Sequence, residues 1–230
     1  MHTTALSNCK LFFETYAEGF QNAAPVRIVE IGSQDVNGSL RSVATPAFEY
    51  VGVDFVVGNG VDIVLESPYS LPFEDNSVDI VLSSSCFEHS EMFWLVFLEV
   101  LRVLKPSGLF YLNAPSNGAF HRYPVDCWRF YPDSGAALIT WARHNGIPAV
   151  LLESYVSRQN IDQWSDFVGV FLKDERHLGN FPARIVERFG DYTNGTRHGH
   201  EGFLNPSTLP EDLSKLITIK QVLNNEIRVP

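Results

Sequence analysis

The chain has 230 residues, 45% of them hydrophobic and 19% charged, with a formal net charge of -10. That length suits one α/β domain with additions and can bury a full core. The acidic balance, with no run of Lys or Arg, argues against nucleic acid as a substrate. Cys9, Cys86 and Cys127 lie far apart with no CxxC or zinc spacing, so a reduced, cytoplasmic setting is expected. The N-terminal Met1-His2-Thr3-Thr4 has no signal-peptide pattern. The longest strongly apolar run, 92–98, falls well short of the ~20 residues of a membrane span.

Residues 6–21 carry Leu11, Phe12, Tyr16 and Phe20 at roughly helical spacing, with Gly19 and Pro25 as stops. The expected helix would cover the pocket or the sheet edge. Strand 26–31, helix 36–44, strand 48–54, a short strand 61–65 and strand 78–83 follow. Helix 91–104 is expected to be capped by Ser90, with Glu91 in the first turn where the helix dipole favours an acid. Lys105-Pro106-Ser107-Gly108 stops it, and 109–114 is the next strand. This alternation predicts a parallel sheet with helices on both faces, and near-continuous apolar strands fit burial on both sides.

A helix over 132–145 ends at Gly146, and strands 149–158 and 166–172 follow with a short connection, which predicts an antiparallel pair at the sheet edge. Beyond Lys173 the pattern weakens: a helix over 175–189, a Gly/Asn/His-rich loop over 190–210 and a weak helix over 211–225. The resulting class is α/β, a Rossmann-like doubly wound sheet, mostly parallel with an antiparallel edge strand. An N-terminal helical cap (1–24), a cofactor-binding core (25–173) and a C-terminal extension (174–230) acting as lid, dimer arm or surface decoration are expected.

The first strand ends in Glu30-Ile31-Gly32-Ser33-Gln34-Asp35, which lacks the second and third glycines of GxGxxG. Gln34 and Asp35 would stand where a pyrophosphate lies, which argues against NAD or FAD. An acid before the glycine turn suits a cationic amino group instead, with Glu30 accepting from it and Gly32 and Ser33 forming the turn. Asp54 ends the second strand, where a carboxylate can bind both hydroxyls of a ribose, and Phe55 can pack on a base. Glu66 and Ser67 follow the third strand and can meet an adenine amino group, while Ser83 and Ser84 line the same crevice. Any one of these acids alone reads as a solvated strand end. Their co-occurrence in this order points to a site for S-adenosylmethionine, and hence to methyl transfer with S-adenosylhomocysteine as product.

The text Val29-Glu30-Ile31-Gly32-Ser33, then Gly52-Val53-Asp54, Leu71-Pro72-Phe73-Glu74-Asp75-Asn76-Ser77-Val78-Asp79, Phe87-Glu88-His89 and Glu99-Val100-Leu101-Arg102-Val103-Leu104-Lys105-Pro106-Ser107-Gly108 resembles the class I S-adenosylmethionine-dependent methyltransferases of the type 11 group. The resemblance covers about residues 25–172. It implies the class I methyltransferase fold and cofactor roles for Glu30, Gly32 and Asp54, and for Glu66, Ser67 and Ser83. Gln34 replaces the second glycine of the usual loop, a departure that bears on the methionine end of the pocket.

Methyl transfer from a sulfonium is an in-line displacement in which positioning does much of the catalysis. A base is needed only where the acceptor must lose a proton, and His89, His121 and Asp126 are the candidates. The long connection 115–131 suits an acceptor site, with Arg122 or Arg129 for a carboxylate or phosphate and Tyr123 and Trp128 for stacking or cation–π contact. The structural alternative is that Asp126 and Arg129 pair to lock the loop while Trp128 fills core. The Pro-x-Asp-x-Trp-Arg-Phe-x-Pro pattern over 124–132 resembles a subset of the family that tailors glycans and natural products. The expected acceptor is thus an oxygen or nitrogen of a sugar or a glycan or natural-product precursor. A lipid, quinone-like or protein acceptor, or a catalytically silent cofactor-binding module that scaffolds a partner, are the alternatives, the last supported by Gln34. A homodimer is left open. His198-Gly199-His200 has no acid or Cys at ligand spacing, so no metal is expected.

Overall fold

Eight strands form one sheet in the computed structural model, which describes residues 2–20, 25–158, 162–209 and 212–228. The strands are β1 (Arg27–Ile31), β2 (Glu49–Asp54), β3 (Ile63–Val64), β4 (Val78–Ser84), β5 (Leu104–Pro115), β6 (Val150–Ser157), β7 (Asp166–Leu172) and β8 (Tyr192–Arg197), in the order β3-β2-β1-β4-β5-β7-β6-β8. β3, β2, β1, β4 and β5 pair in parallel, and β7 runs antiparallel to both β5 and β6. The sheet is therefore mostly parallel with an antiparallel edge, as the alternation predicts.

Two features of that edge depart from expectation. The antiparallel pair is present, but the later strand, β7, is the inner one and separates β6 from β5. All seven residues of β7 are buried, which suits a central position. The outermost strand is β8, inside the stretch expected to be a loop. Its Thr193, Asn194, Gly195 and Thr196 lack an apolar alternation, and the pairing with β6 shifts between Ser154 and Val156, so neither period nor propensity marks it.

Helices α1 (Thr3–Tyr16), α2 (Phe93–Val103), α3 (Ser134–His144) and α4 (Leu213–Leu223) complete the fold. α1 continues as a 3-10 turn, Ala17–Phe20; the expected end at Gln21 lies outside the described residues. It packs on a sheet face rather than on an edge, with Cys9, Phe12 and Tyr16 against Ile28, Leu82, Tyr111 and Val168. The opposite face carries α2 and α3, whose Phe97, Val100, Leu101 and Leu138 pack with Val29, Val81, Phe110 and Phe171. α2 starts after Met92, and Ser90 makes no cap.

The helix expected over 36–44 is only a 3-10 turn, Leu40–Ser42. Gly38 has φ +121° and donates to Asp35 Oδ1 at 2.7 Å, a turn that leaves too little chain for a helix before Pro46. Residues 175–189 likewise form two short 3-10 helices, Glu175–Asn180 and Ile185–Glu187, interrupted by Pro182. That segment is anchored by Glu153 of β6, which accepts from Ile185 N at 2.8 Å, Val186 N at 2.9 Å and the Tyr16 hydroxyl of α1. α4 lies largely exposed at the surface, and the first residue of its expected range, Glu211, is outside the described residues. No described helix is long and apolar enough to cross a membrane.

Candidate active site

A cavity of about 630 Å³ opens at the carboxyl ends of β1, β2, β4 and β5. This is the crevice where open α/β sheets bind ligands, and the size suits a cofactor with a small second molecule. One end is made by the β1 turn and the end of β2. Gly32 has φ +78° and passes so close to Cys86 that a Cβ would lie 2.7 Å from the Cys86 Cβ, which excludes any side chain. The Gly32 and Ser33 N–H groups both donate to Val53 O, at 3.0 and 3.2 Å, and clip the turn to β2.

Asp54 is 7% exposed and faces the cavity. One carboxylate oxygen accepts from Gln34 N at 3.2 Å and the other from Val56 N at 3.3 Å. These two bonds fix the carboxylate and leave lone pairs for a vicinal diol. Phe55, Leu65, Pro68 and Tyr69 form an apolar wall beside it. Glu66 is exposed and Ser67 braces its own turn by accepting from Tyr69 N, so neighbours of the two expected residues line the wall.

Glu30 does not line the cavity. Strand alternation turns its side chain toward the α1 face, where it is buried and accepts from the Tyr50 hydroxyl at 2.8 Å. Burial pushes its carboxyl up to about 7. Ser33 and Ser83 are also buried behind the wall. Ser84 and Ser85 stand on the wall instead.

The other end of the cavity combines the segment after β4 with the 115–131 loop. Cys86, Phe87, Glu88 and His89 face His121, Arg122, Tyr123 and Val125, and His2 and Trp164 close the rim. Burial raises the Cys86 thiol to about 12, so it is no nucleophile. His89 Nδ1 sits 2.5 Å from Val125 O, and His121 Nδ1 sits 3.0 Å from Ala119 O. Burial lowers the His89 pKa, which keeps the imidazole neutral at pH 7. The Tyr123 hydroxyl donates to Gln34 Oε1 at 3.1 Å, so the residue in the place of the usual glycine pins the 115–131 loop to the β1 turn.

Asp126, Trp128 and Arg129, three of the candidates on this loop, hold its shape rather than line the cavity. Asp126 accepts from Arg129 Nη1 at 2.6 Å, Arg129 Nη2 at 3.0 Å and His121 N at 2.7 Å. The guanidinium holds its carboxyl down to about 2, which makes it a poor base. Arg129 also donates to Ala119 O and Trp128 O, and Trp128 Nε1 donates to Ser90 O while its ring packs on Phe93 and Trp94. The sequence alternative of a locking pair describes these contacts. Arg122, in contrast, lines the cavity and makes no hydrogen bond or ion pair among the described residues.

Glu88, which the sequence marks only as part of the Phe87-Glu88-His89 segment, also stands on the cavity wall. It is wholly buried there, and among the described residues neither carboxylate oxygen has a hydrogen-bond partner. Burial pushes its carboxyl up to about 8. Its backbone carbonyl accepts from Cys127 N and Trp128 N, which locks the loop above it. The signal was present in Phe87-Glu88-His89, where an acid adjoins a histidine just past a parallel strand.

Sheet order and the crevice at the carboxyl ends of the strands give the chain the class I methyltransferase fold. Residues 30–112 match the family model described as a methyltransferase domain, Methyltransf_11. An uncharacterised methyltransferase of Mycobacterium avium strain 104 is 39% identical over 87 residues, 37% of this chain and 34% of that protein. Another from Mycobacterium tuberculosis H37Rv is 50% identical over 50 residues, 22% of this chain and 20% of that protein. The chain thus spans about a third or less of the length of these curated relatives.

Among solved structures, the fold is similar to 1,6-didemethyltoxoflavin-N1-methyltransferase of Burkholderia thailandensis with bound 1,6-didemethyltoxoflavin and S-adenosylhomocysteine, at 13% identity and a TM-score of 0.54 over 74% of this chain and 79% of that one. It is also similar to the cyclase SpnF, at 15% identity and a TM-score of 0.53 over 74% of this chain and 81% of that one. At such identities the likeness is one of fold.

Proposed function

We propose that the chain is an S-adenosylmethionine-dependent methyltransferase acting on an oxygen or nitrogen of a polar small molecule, a sugar or a glycan or natural-product precursor. The observation that carries this reading is one continuous cavity with a nucleoside-suited end at Asp54 and a polar end at Glu88, His89, His121 and Arg122. The residues present fit the cofactor: Asp54 would hold the ribose diol, and Phe55, Leu65 and Tyr69 would hold the base. Gly32 and Ser84 border the methionine end, and Glu30 acts from behind the turn as a support of its geometry. Bound cofactor would supply an electrophilic methyl on a sulfonium.

The protein's own contribution is orientation and the exclusion of water. The Tyr123–Gln34 bond and the Asp126–Arg129 brace hold the loop as one wall, so the acceptor is placed rather than captured by a mobile flap. Arg122 provides an unpaired guanidinium for an anionic substituent of the acceptor. His89, neutral at pH 7, is the group able to take a hydroxyl proton directly. Calorimetric titration with S-adenosylmethionine, followed by radiolabelled methyl transfer to a panel of sugars and uronic acids, tests the reading. No heat with either S-adenosylmethionine or S-adenosylhomocysteine overturns it in favour of a module that does not use this cofactor.

A further inference from the structure

Glu88 is a costly residue to leave as it stands. A buried carboxylate without partners is strongly disfavoured unless it is protonated or meets a cation. Its surroundings add acids: Asp166 and Asp126 act on it through space, and the nearby Arg129 is bonded to Asp126. Two imidazoles also stand beside it. His89 Nε2 lies 3.6 Å from Glu88 Oε1, and the His89 and His121 rings meet edge to face with centroids 4.9 Å apart. A Glu88 oxygen and one ring nitrogen from each histidine all lie within 4.8 Å of one another. Among the described residues this is the one such group of three.

Backbone carbonyls at Nδ1 make that nitrogen the N–H in each ring and leave Nε2 with a lone pair. A metal-binding histidine is held in the same way by its outer nitrogen. The ligands of a tetrahedral first-row ion stand roughly 3–3.5 Å apart, so the Glu88–His89 pair is already close to that spacing and His121, on the loop, has the smaller adjustment of a side chain to make. Two imidazoles with one carboxylate suit zinc or its first-row neighbours and not magnesium or calcium, which take oxygen ligands.

We propose that Glu88, His89 and His121 bind a single first-row divalent cation at the acceptor end of the cavity, and that the cation seats an oxygen of the acceptor. Three protein ligands leave a position for water or that oxygen. The seating of the acceptor rests on the methyl-transfer reading; the binding of the cation does not. With the cation in place, His89 Nε2 would be a ligand and not a base, and the cation would lower the pKa of a bound acceptor hydroxyl so that its proton passes to water.

Chelator-stripped protein, without S-adenosylmethionine, is titrated with Zn²⁺ by calorimetry and with Co²⁺ by visible absorption. One equivalent per chain and ligand-field bands are expected, and Glu88→Gln and His121→Ala should each weaken binding by ~10–100-fold or more. His121→Ala removes a partly exposed loop side chain and keeps the test open if Glu88→Gln misfolds. No stoichiometric Zn²⁺ binding to the wild type overturns the site. Unchanged affinity in the variants overturns it too, since the ion then sits elsewhere, as at His198 and His200. Stoichiometric metal with no S-adenosylmethionine binding on the same samples would refute the methyl-transfer reading and leave the metal site standing.

Discussion

Replacing Glu30 with glutamine should change how stability depends on pH. The carboxyl is 2% exposed, has the Tyr50 hydroxyl as its hydrogen-bond donor, and titrates at about 7 where the ordinary value is 4.5. A folded-state pKa above the unfolded one means the native protein holds the proton more tightly. The associated stability is complete below pH 4.5 and is lost as pH rises through 7. The difference corresponds to about 3 kcal/mol in full, of which roughly 2–3 falls between pH 5 and pH 8. Glutamine keeps an acceptor for Tyr50 and cannot ionise. Its extra N–H groups add a destabilising term of roughly 1–3 kcal/mol, but that term does not vary with pH. Urea unfolding of wild type and Glu30→Gln at both pH values isolates the titration, because the constant term cancels. The variant should gain roughly 2–3 kcal/mol on the wild type between pH 5 and pH 8. Parallel profiles, agreeing within about 0.5 kcal/mol, would refute the buried, Tyr50-bonded placement of this acid.

Asp54→Ala should weaken S-adenosylmethionine binding by roughly 1.5–3 kcal/mol, or ~10–100-fold, as read by calorimetry. Tyr123→Phe removes the bond to Gln34 and should speed amide hydrogen exchange over 119–127 while costing about 1 kcal/mol or less of global stability. Arg129→Ala leaves Asp126 without its guanidinium; a raised acceptor KM with unchanged cofactor affinity is expected, and an unchanged KM would show that the loop shape does not depend on the pair. His89→Ala should lower kcat and leave cofactor affinity nearly intact if the imidazole serves the acceptor and not the cofactor; equal losses in both would contradict that assignment.

Much of the core was legible from pattern alone. Strands β1, β2, β4, β5 and β7 are runs of apolar residues long enough to be buried on both faces, and α2 and α3 follow the helical period between them. Asp54 was legible for a related reason: an acid that ends a parallel strand must stand at the mouth of the crevice, whatever its rotamer. Glu30 shows the limit. Its position beside the turn was clear, but the period of two along a strand sends neighbours to opposite faces, and only the fold decides which face holds the ligand.

The sequence by itself determined the alternating architecture, the glycine turn and the acid at the end of β2, because each depends on residues close in the chain. Tertiary structure alone decided that β7 lies inside β6, that β8 exists, that Asp126 also accepts from His121 N, and that neither Glu88 carboxylate oxygen accepts a hydrogen bond among the described residues. Strand order and the satisfaction of buried charge are set by groups brought together from distant segments. Burial strengthens those interactions and the penalty for lacking them, and neither periodicity nor spacing records which segments will meet.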